Sequence, residues 1–291
     1  MWILFAFGSA LFAGATAVLA KIGVKKVDSM LATAIRTVII LIFSWLMVFI
    51  VGSWDTILSI NPKSYVFLIL SGLATGASWL CYFKALQLGD VNKVTPIDKF
   101  STVLTMIMAF IILGEPITLA KSIGITFIAL GTYLMVANKK MQQEQSTAGT
   151  AGSAWLIYAI LSAVFASLTA ILAKIGIVGI ESNLGTAIRT VVVLIMAWLM
   201  VFITNKHGEI KEIDRKSWIF LCLSGITTGL SWLCYYKALQ DGQASIVVPI
   251  DKLSIVITVA FSYFFLKEKV TAKSFMGLIL IVAGTMTLLL P

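Results

Sequence analysis

Two nine-residue stretches, TPIDKFSTV at 95–103 and VPIDKLSIV at 248–256, set an Asp beside a Lys inside runs that are otherwise apolar. A charge near the bilayer centre costs about 2.5–3.5 kcal/mol on insertion scales, so an ion held there is a candidate for function. An Asp and a Lys in such a place can carry a proton, or form a switchable ion pair for which a substrate competes. Neighbours on a regular helix do not face each other. Asp98 is therefore expected to pair with Lys252 and Asp251 with Lys99 across the molecule, or each Asp with Arg36 or Arg189. The preceding prolines, Pro96 and Pro249, allow two placements. Either Pro-Ile-Asp opens a helix, with the carboxylate against the N-terminal dipole. Or the helix begins near Val91 and Ala244, and Asp98/Lys99 and Asp251/Lys252 lie about two turns deep in a broken span of the kind that lines a transport cavity.

Other polar residues recur in pairs. Arg36 and Arg189 sit in two TAIRT segments, about 12 Å beyond Asp28 and Glu181 at 1.5 Å per residue. An arginine there can snorkel to the interface or meet a carboxylate-bearing ligand bidentately. Ser71, Thr75, Ser78 and Tyr82 share one helix face, repeated as Ser224, Thr228, Ser231 and Tyr235, with Trp79 and Trp232 alongside. Small hydroxyl residues cement membrane helices. Aromatics with polar tips suit a ligand cavity, which favours the cavity reading. Gly72/Gly76 and Gly225/Gly229, and the seven-spaced Gly124/Gly131 and Gly277/Gly284, mark close helix packing.

Chemistry of other kinds has little to stand on. Cys81, Cys222 and Cys234 fall within apolar runs and form no CxxC, and the single His, His207, lies in a loop, so no metal site or cofactor is expected. No span combines a nucleophile with a base, which argues against an intramembrane enzyme.

The elements that must position these residues follow from composition. The 291 residues are 59% hydrophobic and 12% charged, against about 25% charged in soluble domains. Apolar runs of roughly 20 residues, the length that crosses a hydrocarbon core, occupy 2–20, 31–51, 65–83, 94–113 and 119–137, then 155–173, 184–204, 218–236, 247–266 and 272–290. The fold class is all-α integral membrane, surrounded by lipid. The first run has no basic n-region or cleavage site and is expected to stay as a span. The net charge of +9 sits in short loops. It points to membrane orientation and not to nucleic acid.

The chain is one unit written twice. Lys21 aligns with Lys174, an offset of 174 − 21 = 153, which holds without gaps and leaves roughly half of the positions identical. Residues 1–138 form the first five-helix repeat, 139–153 a polar linker and 154–291 the second repeat. An odd number of spans per repeat inverts the second copy, the design associated with alternating access. About 15 basic residues fall on the face reached after the first span and about five on the other, so the basic face is expected to be cytoplasmic and both termini outside. Two such halves complete a path within one chain; a monomer suffices, and a homodimer is compatible with it.

ALQLGDVNKVTPID with LGEPIT and GITFIALGTYL, and ALQDGQASIVVPID with LKEKVT and GLILIVAGTM, resemble the drug/metabolite transporter superfamily, specifically its ten-helix permeases with two EamA-type domains. The resemblance spans the chain and implies a membrane permease for a small polar metabolite, an amino acid or related compound. A flippase or small-molecule receptor on the same fold is the alternative. It further implies a cavity built by spans one to four and six to nine, prolines within the span, and Glu115 and Glu268 in structural turns. Lys267 replaces a glycine there. The superfamily's small four-helix drug exporters carry an acidic residue in the first span. Neither 2–20 nor 155–173 has one, leaving Asp98 and Asp251 as candidate proton sites.

Overall fold

The computed structural model describes residues 1–24, 27–88, 94, 97–137, 154–264 and 271–290, and the described regular structure is helical. In the first half, α1 (Trp2–Gly23), α2 (Ser29–Val51), α3 (Pro62–Leu88), α4 (Ser101–Ile112) and α5 (Leu119–Ala137) follow one another. The second half has α6 (Ala154–Gly176), α7 (Ser182–Ile203), α8 (Arg215–Asp241), α9 (Ala244–Lys252), α10 (Ser254–Phe264) and α11 (Ala272–Thr287). Among the described residues, seven spans are long and apolar enough to cross a membrane, α9 and α10 counting as one, and α5 and α11 are shorter apolar helices. This is the expected all-helical membrane fold. Lys25, Lys26, Lys93, Pro96, Glu268, Lys267 and the 139–153 linker lie outside the described residues.

Local chemistry sets the helix ends. Asp28 accepts from the backbone N–H groups of Met30 and Leu31 at 2.9 and 3.2 Å, capping α2. Its copy Glu181 caps α7 through Leu184 N–H at 3.0 Å, so two orphan helix ends are satisfied by the same aligned position. Gly52, at φ +73°, ends α2 in the left-handed region that glycine enters freely.

The halves run in opposite senses. Lys206, just past α7, lies 4.0 Å from Asp28 at the start of α2. Ser53, just past α2, donates to Glu181 at the start of α7 at 3.1 Å. Each half packs mainly on the other: α1 on α8, α3 on α6, and α2 on α7 and α8. α5 and α11 pair with one another at the side of this bundle. A Cβ at Gly131 would stand 2.6 Å from the carbonyl oxygen of Gly277, and the reverse distance is also 2.6 Å. Only glycine allows that approach, so the seven-spaced glycines serve the packing expected of them.

Candidate functional site

The polar stripes of α3 and α8 meet the first helix of the opposite half. Ser71 donates to the carbonyl of Thr169 at 2.8 Å, and Ser224 to that of Thr16 at 3.3 Å. Ser78 donates to Ser162 O at 3.0 Å, and Ser231 to Ser9 O at 3.2 Å. Each contact recurs 153 residues on, with the halves exchanged. The stripe is thus first a helix–helix joint, the role set against cavity lining in the sequence. Part of it does both.

The twin arginines anchor on these stripes. Arg36 donates through Nη2 to Thr228 Oγ1 at 2.7 Å. Arg189 donates through Nε to Ser71 Oγ at 3.0 Å and through Nη2 to Thr75 Oγ1. The Arg189 guanidinium also lies 5.2 Å from the Trp232 ring centre and 4.8 Å from that of Tyr236, within reach of a cation–π attraction. Arg189 is 2% exposed, so snorkelling does not describe it. The Arg–Asp pairs considered above do not form among the described residues.

A cavity of about 420 Å³ opens between the halves, within the range of small-ligand sites. Arg36, Arg189, Thr75, Thr228, Trp79, Trp232, Ser231, Tyr235, Asp251 and Lys252 line it, with Tyr236 beside them. Ser78 and Tyr82, expected on the same path, are outside this lining. Ser78 is buried against α6, and Tyr82 packs in the cluster of Ala85, Val94 and Ala159. Asp98 and Lys99 are also outside it. A separate crevice of about 400 Å³ has both Lys99 and Lys252 in its wall, against α5 and α11.

The Asp-Lys motifs correct one expectation. Lys99 Nζ lies 3.9 Å from the Oδ2 of Asp98, and Lys252 Nζ 3.8 Å from the Oδ2 of Asp251. Sequence neighbours therefore approach one another, and the cross-molecular Asp98–Lys252 and Asp251–Lys99 pairs are not formed. The helix turns sharply one residue later, where Phe100 N–H bonds to Ile97 O and Leu253 N–H to Ile250 O, at 3.1 and 3.0 Å. A long lysine stem at such an end can fold back over its neighbour. The contacts stand at the outer limit of an ion pair and the lysines are half-exposed. The closer partners of the carboxylates are serines of the opposite half. Ser9 donates to Asp251 at 2.5 Å and Ser162 to Asp98 at 3.3 Å. Sequence reasoning missed both serines, although they are themselves a pair at the repeat offset.

In the second half, α9 begins at Ala244, and Pro249 lies inside it with Asp251 two turns from its start. Glu115 explains that start: its carboxylate accepts from Ala244 N–H at 2.6 Å and Ser245 N–H at 3.0 Å. Lys174 closes the preceding helix, donating to the carbonyls of Leu239, Gln240 and Gly242 at 2.6, 3.0 and 2.7 Å. These groups line a wide void of about 910 Å³ on the face where α1 begins, called here the terminal face. Of the charged groups in its wall, Glu115, Lys174 and Glu181 serve helix ends, Asp241 pairs with Lys237 and Lys63 lies over the Phe67 ring.

The two ends of the central cavity differ. Toward the terminal face, Ala173, Ile177, Leu239, Val247 and Ile250 are fully buried around Tyr236. Of their counterparts, Val94 is fully buried, while Ala20, Val24, Phe83, Leu86 and Ile97 are only partly buried. A void of about 240 Å³ lined by Arg36, Trp79, Thr228 and Trp232 continues from the cavity to Thr33 and Phe83, near the basic-face ends of α2 and α3. Among the described residues, the packing beside the cavity is tighter toward the terminal face than toward the basic one.

Comparison with known proteins finds a model of the EamA-like transporter family matching residues 1–137 and again 153–290. An "uncharacterized transporter in cobO 3′ region" of Sinorhizobium sp is 45% identical over 134 residues, 46% of this chain and 95% of that protein. That relative is thus about as long as one repeat. An "uncharacterized transporter" of Archaeoglobus fulgidus is 23% identical over 212 residues, covering 73% of this chain and 71% of the relative. A crystal structure titled only as that of a protein superposes with a TM-score of 0.80 at 16% identity, covering 99% and 98% of the two chains. At that identity it speaks to the fold alone.

Proposed function

Since this chain belongs to the EamA-like transporter family and is a multi-pass membrane protein, we propose that it is a permease moving a small polar metabolite, an amino acid or related compound, across the cytoplasmic membrane by alternating access. The observation that carries the reading is the difference between two nearly equivalent halves. One cavity lies at their interface, sealed by Tyr236 and its neighbours toward the terminal face and continued past Phe83 toward the other. In an inverted repeat the same sequence can support both packings, and exchanging them moves the opening from one face to the other. The basic face is cytoplasmic on this account and both termini are outside. Arg36, Arg189, Thr75, Thr228, Trp79, Trp232, Ser231 and Tyr235 form the substrate path. Asp98, Asp251, Lys99 and Lys252 gate it or couple it to protons at the helix breaks. Ser78 and Tyr82 support the α3 side. One chain makes the whole path.

A thermal-shift screen of the purified protein against amino acids and related metabolites, followed by uptake of each ligand into proteoliposomes, tests this. A ligand that binds and crosses supports the permease; one that binds without crossing favours a receptor. A second reading rests on the crevice beside α5 and α11, where Lys99 and Lys252 stand over a wall of aliphatic and hydroxyl side chains. That arrangement suits an acidic lipid head and would make the protein a flippase. Movement of a fluorescent acidic lipid between leaflets, without flux of any metabolite, would favour it.

A further inference from the structure

Three buried side-chain polar atoms among the described residues have no hydrogen-bond partner, and two of them are Nε of Arg36 and Nη1 of Arg189. Both arginines line the central cavity. Every ion pair among the described residues involves lysine, so neither guanidinium has a carboxylate within 4.0 Å. The contact points of the two are close. Arg36 bonds to Thr228 and Arg189 lies on the Trp232 ring, four residues further along α8, a rise of about 6 Å. In the same wall, Lys252 is offset by Asp251. Among the described residues the cavity wall thus carries three cations against the single carboxylate of Asp251, an excess of two positive charges, with Arg189 only 2% exposed.

A buried charge without a partner is costly, and a guanidinium is matched by a planar anion. Resting on the permease reading, and narrowing its amino acids and related compounds to the acidic ones and to acids without an amine, we infer that the substrate is a small organic carboxylate of net negative charge. Its carboxylate sits between Arg36 and Arg189, and its carbon body lies against Trp79 and Trp232. A zwitterion of zero net charge would bring its own ammonium into a cavity wall that already has two cations in excess and would leave that excess unchanged.

The test uses the purified full chain with benzoate and phenylpyruvate as anions, phenylalanine as zwitterion, benzamide as neutral body, benzylamine as cation, and inorganic phosphate. Affinity is read by thermal shift and flux by proteoliposome uptake. The expected result is stabilisation by at least one of the two carboxylates at about 10 mM, above the range of a weak site, with affinity at least tenfold lower in Arg36→Gln. Arg36 is only partly buried, so that variant is the primary one. Arg189→Lys, which keeps the charge, is the second and should retain anion preference with weaker binding. Carboxylate binding that depends on Arg36 without any flux would sustain the inference and defeat the permease reading. Binding led by phenylalanine, benzamide, benzylamine or phosphate, no stabilisation by either carboxylate, or unchanged affinity in Arg36→Gln, would overturn the inference and leave transport standing.

Discussion

The carboxylate of Glu115, at the end of the first half's α4, accepts the backbone N–H of Ala244 at 2.6 Å and so seats the first turn of the second half's α9. Gly114 makes this possible, since at φ +66° it bends the chain back from α4. Loss of a capping side chain costs about 0.5–2 kcal/mol, and a carboxylate on two amides belongs at the upper end. Glu115→Ala is therefore expected to lower the apparent Tm of the purified protein clearly, and Glu115→Gln, which keeps one acceptor, by less. Equal Tm in all three would contradict the capping role.

Gly131 and Gly277 bring the α5 and α11 backbones together, each with a would-be Cβ 2.6 Å from the other's carbonyl oxygen. Backbone cannot yield as a side chain does, so Gly131→Ala is expected to destabilise by about 1–3 kcal/mol. Gly208, with nothing within 4 Å of its would-be Cβ, is the control, and Gly208→Ala should leave the melting curve in place.

The carboxylates at the helix breaks should matter more than the lysines beside them. Asp98→Asn combined with Asp251→Asn is expected to abolish flux while the protein still inserts and purifies as a single species. Lys99→Gln and Lys252→Gln remove contacts of 3.9 and 3.8 Å from half-exposed lysines. Such contacts are worth about 0–1 kcal/mol to the fold. Ser9→Ala takes a 2.5 Å donor from Asp251 and should lower stability by about 1.5–3 kcal/mol, the range for bonds to a charged group. Full flux in the double Asn variant would remove both carboxylates from the mechanism.

The contrast between Tyr82 and Tyr235 explains what could be read from the sequence. They are aligned residues on aligned stripes, yet Tyr235 lines the cavity and Tyr82 packs beside Ala85. A repeat pattern assigns both the same role. Which copy is closed is a property of the conformation, and two halves that align without gaps do not encode it locally. Spans, the repeat, glycine faces and the twin arginines were legible because each is a local or periodic pattern. The partners of Glu115, Lys174 and the two aspartates were not, since each is reached across the interface between halves or through a turn. Ser9 and Ser162 carried a faint signal, being hydroxyl residues kept in both copies within otherwise apolar helices.

The most direct test compares Phe83→Cys and Tyr236→Cys in a protein whose Cys81, Cys222 and Cys234 have been replaced. Reaction with a membrane-impermeant maleimide is followed with and without a bound ligand from the metabolite screen. Phe83 is partly buried beside the void toward the basic face, and Tyr236 is 4% exposed in the seal. The account predicts that without ligand the thiol of Phe83→Cys reacts from the basic face while that of Tyr236→Cys is protected. During turnover the Tyr236→Cys thiol should become reactive from the terminal face as the Phe83→Cys thiol is shielded. Reactivities that stay fixed under turnover, or that rise and fall together, would contradict alternating access.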